Sequence, residues 1–171
     1  MKICVIGLGE IGFEIFKELE KRKSNGDELF GVDVSEKRIT EIKLKFSNVG
    51  MYVPISDIYI LAVYTTEQVL EVISRIDQKN NPLVIIESTI EPGTYGEMRK
   101  KWSELDLVLF PHRFNPNDPA HHVFNLNRVI GAEGKALARA KEFYTKIMDW
   151  NIIHETNPEI AELTKPIENA Y

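Results

Sequence analysis

Two hydrophobic patterns alternate along the chain. Short runs rich in apolar residues, at 3–6, 28–32, 58–63, 83–86, 107–110 and 128–131, have the length and continuity of strands covered on both faces. Between them, apolar residues return every three or four positions. Ile11, Ile15, Phe16 and Leu19 form one such set, and Val69, Leu70, Val72, Ile73 and Ile76 form another. Ile39, Ile42, Leu44 and Phe46 follow Ser35, and Ala136, Leu137, Ala140, Phe143, Tyr144 and Ile147 repeat the pattern later. Each set makes one face of a helix, and Ser35 is a residue type that caps one. A further helix is predicted over 95–102, and weaker strands over 51–53 and 150–154. Asn157-Pro158 pairs an N-cap with a proline at the first helical position, opening a helix through Ile160, Leu163 and Ile167 that still runs at Tyr171. The segment from Pro111 to Asn127 breaks the periodicity and reads as a long loop. Strand and helix in alternation predict an α/β fold, a doubly wound, mainly parallel sheet in three α/β/α layers, as one domain over residues 1–171.

Composition narrows the function classes. The 171 residues are 43% hydrophobic and carry a net charge of −5, with basic residues scattered among acidic ones. That distribution gives no footprint for nucleic acid or for an anionic membrane. The one cysteine, Cys4, falls inside the first apolar run, so neither a disulfide framework nor a cysteine metal site is expected. A reducing, cytoplasmic setting fits, and no run has the length of a membrane span or the layout of an export signal.

The first strand ends in Gly7-Leu8-Gly9-Glu10-Ile11-Gly12, a complete GxGxxG. In that pattern the first glycine permits a tight strand-to-helix turn, the second lets backbone approach a pyrophosphate, and the third lets helix lie on strand. Free N–H groups at the helix start would hold the phosphates. A second strand follows the helix and ends in Asp33, about twenty residues beyond Gly12, where a carboxylate accepts the adenosine ribose hydroxyls. Strand, glycines, helix, strand and acid in register predict dinucleotide binding. The acid favours NAD over NADP, because it repels a 2′-phosphate, although the neighbouring Arg38 could offset that repulsion.

Other residues carry candidate chemistry. Lys165 and Asn169 are four apart, so a helix sets them on one face, where they either converge on a substrate oxygen or face solvent. Pro166 lies between them and removes a helical hydrogen bond. Ser88 and Thr89 close a strand at the end where open α/β sheets bind ligands; their hydroxyls suit a nicotinamide contact or a turn that caps the next helix. Three of the four histidines, His112, His121 and His122, lie in the long loop. Their spacing matches no metal-ligand pattern, and no metal is expected; His112 suits a substrate-lining acid or base, or plain surface polarity.

The stretches KICVIGLGEIG, GVDVSEKRI, SDIYILAV, ESTIEPGT, NRVIGA and AELTKPIENAY, in this order over nearly the whole chain, resemble the NAD-binding Rossmann domain of the UDP-glucose/GDP-mannose dehydrogenase family. Within it they most resemble the UDP-N-acetylmannosamine dehydrogenase branch. The resemblance implies oxidation of a nucleotide-sugar primary alcohol to the acid, with two hydrides passing to two NAD molecules. It implies cofactor contacts at Gly7, Gly9, Glu10, Ile11, Gly12, Asp33, Arg38, Val63, Thr65, Ser88 and Thr89. Lys165 and Asn169 fall where the family manages the proton and the developing oxyanion.

Three departures accompany the likeness. The family's catalytic cysteine and its central dimerisation helices belong to later regions, so the expectation is that these 171 residues alone bind cofactor without turning over a sugar. A homodimer is expected only of an intact protein. Where the family has Pro-Glu-Arg or Pro-Glu-Phe, this chain has Pro111-His112-Arg113, followed by Asn115-Pro116-Asn117 in place of a glycine-bearing turn. Two other functions fit the same residues: a stand-alone NAD-binding module without catalysis, and a single-oxidation dehydrogenase of the broader 6-phosphogluconate dehydrogenase-like superfamily.

Overall fold

At the centre of the sheet, β1 (Lys2–Ile6) alternates its side chains between two apolar layers. Ile3 and Val5 pack with Ile15, Phe16 and Leu19 on one face. Cys4 and Ile6 pack with Tyr59, Val69 and Ile73 on the other. This period of two explains why the run has no polar side. Burial pushes the Cys4 thiol up to about 12, so it is inert as a nucleophile at neutral pH. The computed structural model describes residues 1–113 and 123–169.

Helix α1 (Glu10–Arg22) returns to β2 (Glu28–Val32), and α2 (Glu36–Lys43) to β3 (Val49–Gly50). The chain then crosses to β4 (Ile58–Leu61), on the other side of β1, and continues through α3 (Thr66–Arg75), β5 (Leu83–Ile86), α4 (Thr94–Lys101) and β6 (Asp106–Leu109). After the loop come β7 (Arg128–Gly131), α5 (Gly134–Tyr144), a short 3-10 turn over Trp150–Ile152, β8 (Ile153–Thr156) and α6 (Pro158–Asn169). The strand order is β3-β2-β1-β4-β5-β6-β7-β8, and among the described residues only the β6–β7 pairing is antiparallel. The predicted doubly wound sheet is therefore present. The order reverses between β1 and β4, which opens a crevice at the carboxyl ends of these strands.

Four local expectations are corrected. The third strand lies at Val49–Gly50 instead of 51–53, because the Asn48 side chain donates to the Leu29 carbonyl at 2.6 Å and sets the register Gly31↔Val49. Leu44 is 84% exposed, since α2 ends at Lys43 before the apolar period can bring it inward. Residues 150–152 form the 3-10 turn, with the Asp149 carboxylate accepting from the Asn151 N–H at 3.0 Å, and the strand starts at Ile153. Ile11, Ile160, Leu163 and Ile167 are each at least one-third exposed, so apolar period here does not mark the buried face. Within α6 the buried positions among the described residues are Pro158, Ala161 and Glu162. Among the described residues no helix is long and apolar enough to cross a membrane.

Candidate active site

The glycine turn sits at the carboxyl end of β1. Gly7 has φ +90°, in the left-handed region that favours glycine. A Cβ on Gly12 would collide with the Gly7 carbonyl oxygen, so its absence lets α1 start directly on the strand. Gly9 is the N-cap of α1 and no side chain caps that helix end. The nearest atom to a Cβ on Gly9 would be Tyr64 Cε2, at 3.7 Å, an ordinary contact, so a side chain there would meet no clash within the protein. Those first-turn N–H groups fit the phosphates of a dinucleotide.

Two residues from beyond β2 hold the turn. Asp33 Oδ2 accepts from the Leu8 N–H at 2.7 Å, and its Oδ1 accepts from the Ser35 N–H at 2.8 Å. Arg38 donates from Nε to the Leu8 carbonyl at 2.7 Å, with its guanidinium 4.7 Å from the centre of the Phe13 ring. Both polar groups of the Leu8 backbone are thereby satisfied from one side. Asp33 remains half-buried, and a carboxylate has lone pairs beyond these two bonds for ribose hydroxyls.

A cavity of about 260 Å³ opens in front of the turn. Gly9, Glu10 and Ile11 form one wall, and Lys165 and His112 stand with the opposite strand ends. Val63, Ser88 and Thr89 lie at the ends of β4 and β5. The Ser88 hydroxyl accepts from the Val63 N–H at 2.9 Å and donates to the Leu61 carbonyl at 3.3 Å. It ties two strand ends together, and Gly93, not Ser88 or Thr89, caps α4. Thr65 caps α3 in a reciprocal box with Gln68 and lines a shallower depression beside the cavity, together with Thr89 and Pro166.

Helix α6 brings Lys165 to this place. Asn157 Oδ1 accepts from the Ile160 N–H at 2.9 Å, and Gly131 leaves room for Ala161 against β7. The buried Glu162 carboxylate accepts from the N–H groups of Gly93, at 2.7 Å, and Tyr95, at 2.8 Å, at the start of α4. Those bonds orient the helix, and Lys165 follows three positions later. Asn169 continues the same helix one turn on, but its side chain lies outside the described residues, as do His121, His122 and residues 115–117.

His112 is 3% exposed, so the surface reading fails for it. Its Nδ1 is 3.1 Å from Glu87 Oε2, and Glu87 is also bonded by the Arg128 guanidinium and the Tyr144 hydroxyl. Burial pushes the Glu87 carboxyl up, but Arg128 and His112 outweigh it and hold the group below the usual carboxylate value. Sequence reasoning missed Glu87, Arg128, Tyr144 and Glu162. Single polar residues at strand and helix ends carry no periodic signal; the one hint was a carboxylate closing an otherwise apolar run.

No family model matches the chain. It is 30% identical over 212 residues to the UDP-N-acetyl-D-mannosamine dehydrogenase of Methanococcus vannielii, covering 99% of this chain and 48% of that protein. The UDP-N-acetyl-D-glucosamine 6-dehydrogenase of Pseudomonas aeruginosa is 23% identical over 99% of this chain and 49% of its own length. Among solved structures, the UDP-N-acetyl-mannosamine dehydrogenase of Staphylococcus aureus superposes with a TM-score of 0.82 at 25% identity, covering 100% of this chain and 51% of that one. The chain thus spans about half the length of the curated relatives it matches. It is similar to nucleotide-sugar dehydrogenases over about half of their length and shares the Rossmann-type fold of the matching part.

Proposed function

We propose that this chain binds NAD as the cofactor half of a nucleotide-sugar dehydrogenase, acting on the primary alcohol of a UDP-N-acetylhexosamine or a related UDP- or GDP-sugar. One observation carries the reading: the uncapped N-terminus of α1 and the Lys165 side chain border a single cavity at the switch point of the sheet. The first-turn N–H groups at Glu10 and Ile11 would hold the pyrophosphate, with Gly9 giving it room and Gly7 and Gly12 keeping the turn tight. Asp33 would take the adenosine ribose, with Arg38 keeping the turn in register. Val63, Thr65 and Thr89 would border the nicotinamide half, and Ser88 would hold the two strand ends that carry it.

Bound there, oxidised nicotinamide supplies a hydride acceptor. Lys165 and Asn169 would donate hydrogen bonds to the substrate oxygen as negative charge develops on it. Further regions of such a protein would supply the second wall of the sugar site and the interface of a homodimer. The test is a titration of the chain with NADH, followed by fluorescence, and then with UDP-N-acetylmannosamine. Saturable enhancement that the sugar perturbs supports the reading, and no response to NADH overturns it.

A further inference from the structure

The residues that leave β4 follow the glycine turn step by step. Ala62 donates its N–H to the Ile6 carbonyl at 2.8 Å, and its own carbonyl oxygen crowds the place that a Cβ on Gly7 would take. Two residues on, Tyr64 meets Gly9. Its Cε2 is 3.7 Å, and its hydroxyl oxygen 3.9 Å, from the place of a Cβ there. The ring stands on the border between the cavity in front of the turn and the shallower depression beside it, and it lines both.

The backbone beneath this ring has little slack. The Ser88 hydroxyl accepts from the Val63 N–H at 2.9 Å, and Gln68 Oε1 accepts from the N–H groups of Tyr64, at 2.9 Å, and Thr65, at 3.3 Å. Gln68 is itself fixed, because its N–H donates to Thr65 Oγ1 in the capping box of α3. The Tyr64 Cα is therefore held, and the side chain adjusts by rotation about its own bonds. Such rotation is open to it, since the residue is 85% exposed. Exposure alone would say little, because single aromatic side chains are common on protein surfaces. The position of the ring says more.

In a helix that begins with serine or threonine, the oxygen that accepts from the first-turn N–H groups sits one bond beyond the N-cap Cβ. In α1 the N-cap is Gly9, which has no such oxygen. A phosphate oxygen bound by the same N–H groups takes that place. It then lies between the helix start and Tyr64, whose hydroxyl, 3.9 Å from the Cβ position, comes to hydrogen-bond distance of an atom one bond nearer. A phenol hydroxyl can donate, and an ionised phosphate oxygen accepts.

We propose that Tyr64 is a dinucleotide-binding residue whose hydroxyl donates to a pyrophosphate oxygen, across the phosphate from the first-turn N–H groups of α1. The proposal rests on the NAD reading for the identity of the ligand, and on the place of the ring beside Gly9 for the contact. The pyrophosphate is then held from two chain ends, those that follow β1 and β4, on either side of the switch point. Because the contact is to phosphate, every ligand with a diphosphate shares it, and neither the base nor the nicotinamide alters it.

The experiment compares the 171-residue protein with Tyr64→Phe and Tyr64→Ala by calorimetry against NADH and against ADP. Carbon-13 NMR of the tyrosine rings accompanies it, with Tyr64 assigned by the signals lost in Tyr64→Phe. Tyr64→Phe should weaken NADH and ADP by the same factor, about tenfold for a hydrogen bond to a charged group, with the melting temperature unchanged. Tyr64→Ala should weaken both at least as much, and ADP alone should shift the Tyr64 signals. A Tyr64→Phe protein that binds both ligands as tightly as the parent overturns the role of the hydroxyl, and Tyr64 signals unmoved by bound ADP overturn the contact. A loss for NADH without a loss for ADP takes the contact off the pyrophosphate and overturns the assignment. The NAD reading fails separately: a chain that binds ADP through Tyr64 but gives no response to NADH supports the role of Tyr64 and sinks that reading, whereas a chain that binds neither ligand sinks both.

Discussion

Asp33 Oδ2 and the backbone N–H of Leu8 are 2.7 Å apart, which makes the acid at the end of the second strand a clamp on the glycine turn. Under the proposed NAD binding the same carboxylate serves both the shape of the turn and the recognition of the ribose. Asp33→Ala removes both, and NAD affinity should fall by about tenfold or more, in line with the loss of hydrogen bonds to a charged group. The unmutated chain should prefer NAD to NADP, and the variant should narrow that preference. Arg38 will not rescue NADP strongly, because its Nε and guanidinium face are engaged by Leu8 and Phe13. Calorimetry with both cofactors checks each point, and equal affinities in the unmutated chain would sink the argument.

Gly9 and Gly12 should fail in different ways. A side chain at Gly9 meets nothing closer than Tyr64, at 3.7 Å, so Gly9→Val should fold normally while its branched side chain occupies the approach of the pyrophosphate. NAD binding should become undetectable with the melting temperature nearly unchanged. Gly12→Ala instead forces a methyl group into the Gly7 carbonyl and should destabilise the protein by about 3 kcal/mol. Urea unfolding of both variants separates a lost site from a lost fold.

The sheet was legible because buried parallel strands leave unbroken apolar runs, and β2, β4, β5 and β7 fall within the predicted stretches. The glycine turn was legible because its geometry permits few other residues. What escaped was decided by single polar contacts. The Asn48 amide moves β3 two residues, and Glu162 turns α6 so that its apolar positions 160, 163 and 167 face outward. Periodicity reports which residues share a face, not which face is buried when a carboxylate has two N–H partners to reach. His112 was visible as a loop histidine, but its burial depends on Glu87, Arg128 and Tyr144, from three other parts of the chain.

Glu162 should therefore control the placement of Lys165. Glu162→Gln keeps the size of the side chain but sets an NH2 group against one of the N–H groups of Gly93 or Tyr95. Leaving one buried donor unsatisfied costs about 1–3 kcal/mol. The variant should lose stability in that range, and hydrogen exchange at Gly93 and Tyr95 should accelerate ahead of the central strands. Unchanged exchange at both amides would mean that α6 is held by its contact with β7 alone.

Acid should weaken the fold in two stages, the first set by His112 and the second by Glu87. The folded His112 pKa lies below its usual 6.5, chiefly through burial. The unfolded chain therefore takes up this proton first, and stability must drop as pH falls through 6.5, levelling off below the folded value. Glu87 behaves differently, because burial raises its pKa but Arg128 and His112 pull it below the usual 4.5. The carboxylate's contribution is present above 4.5 and is lost as pH falls through the lower folded value. Urea midpoints measured from about pH 8 to pH 3 should trace both declines. His112→Gln has no proton to gain near neutrality, so its curve should be flatter between about pH 7 and 5 while keeping the steeper fall at lower pH. An upper decline of the same size in His112→Gln would show that other groups carry it and that His112 is not held neutral by its surroundings.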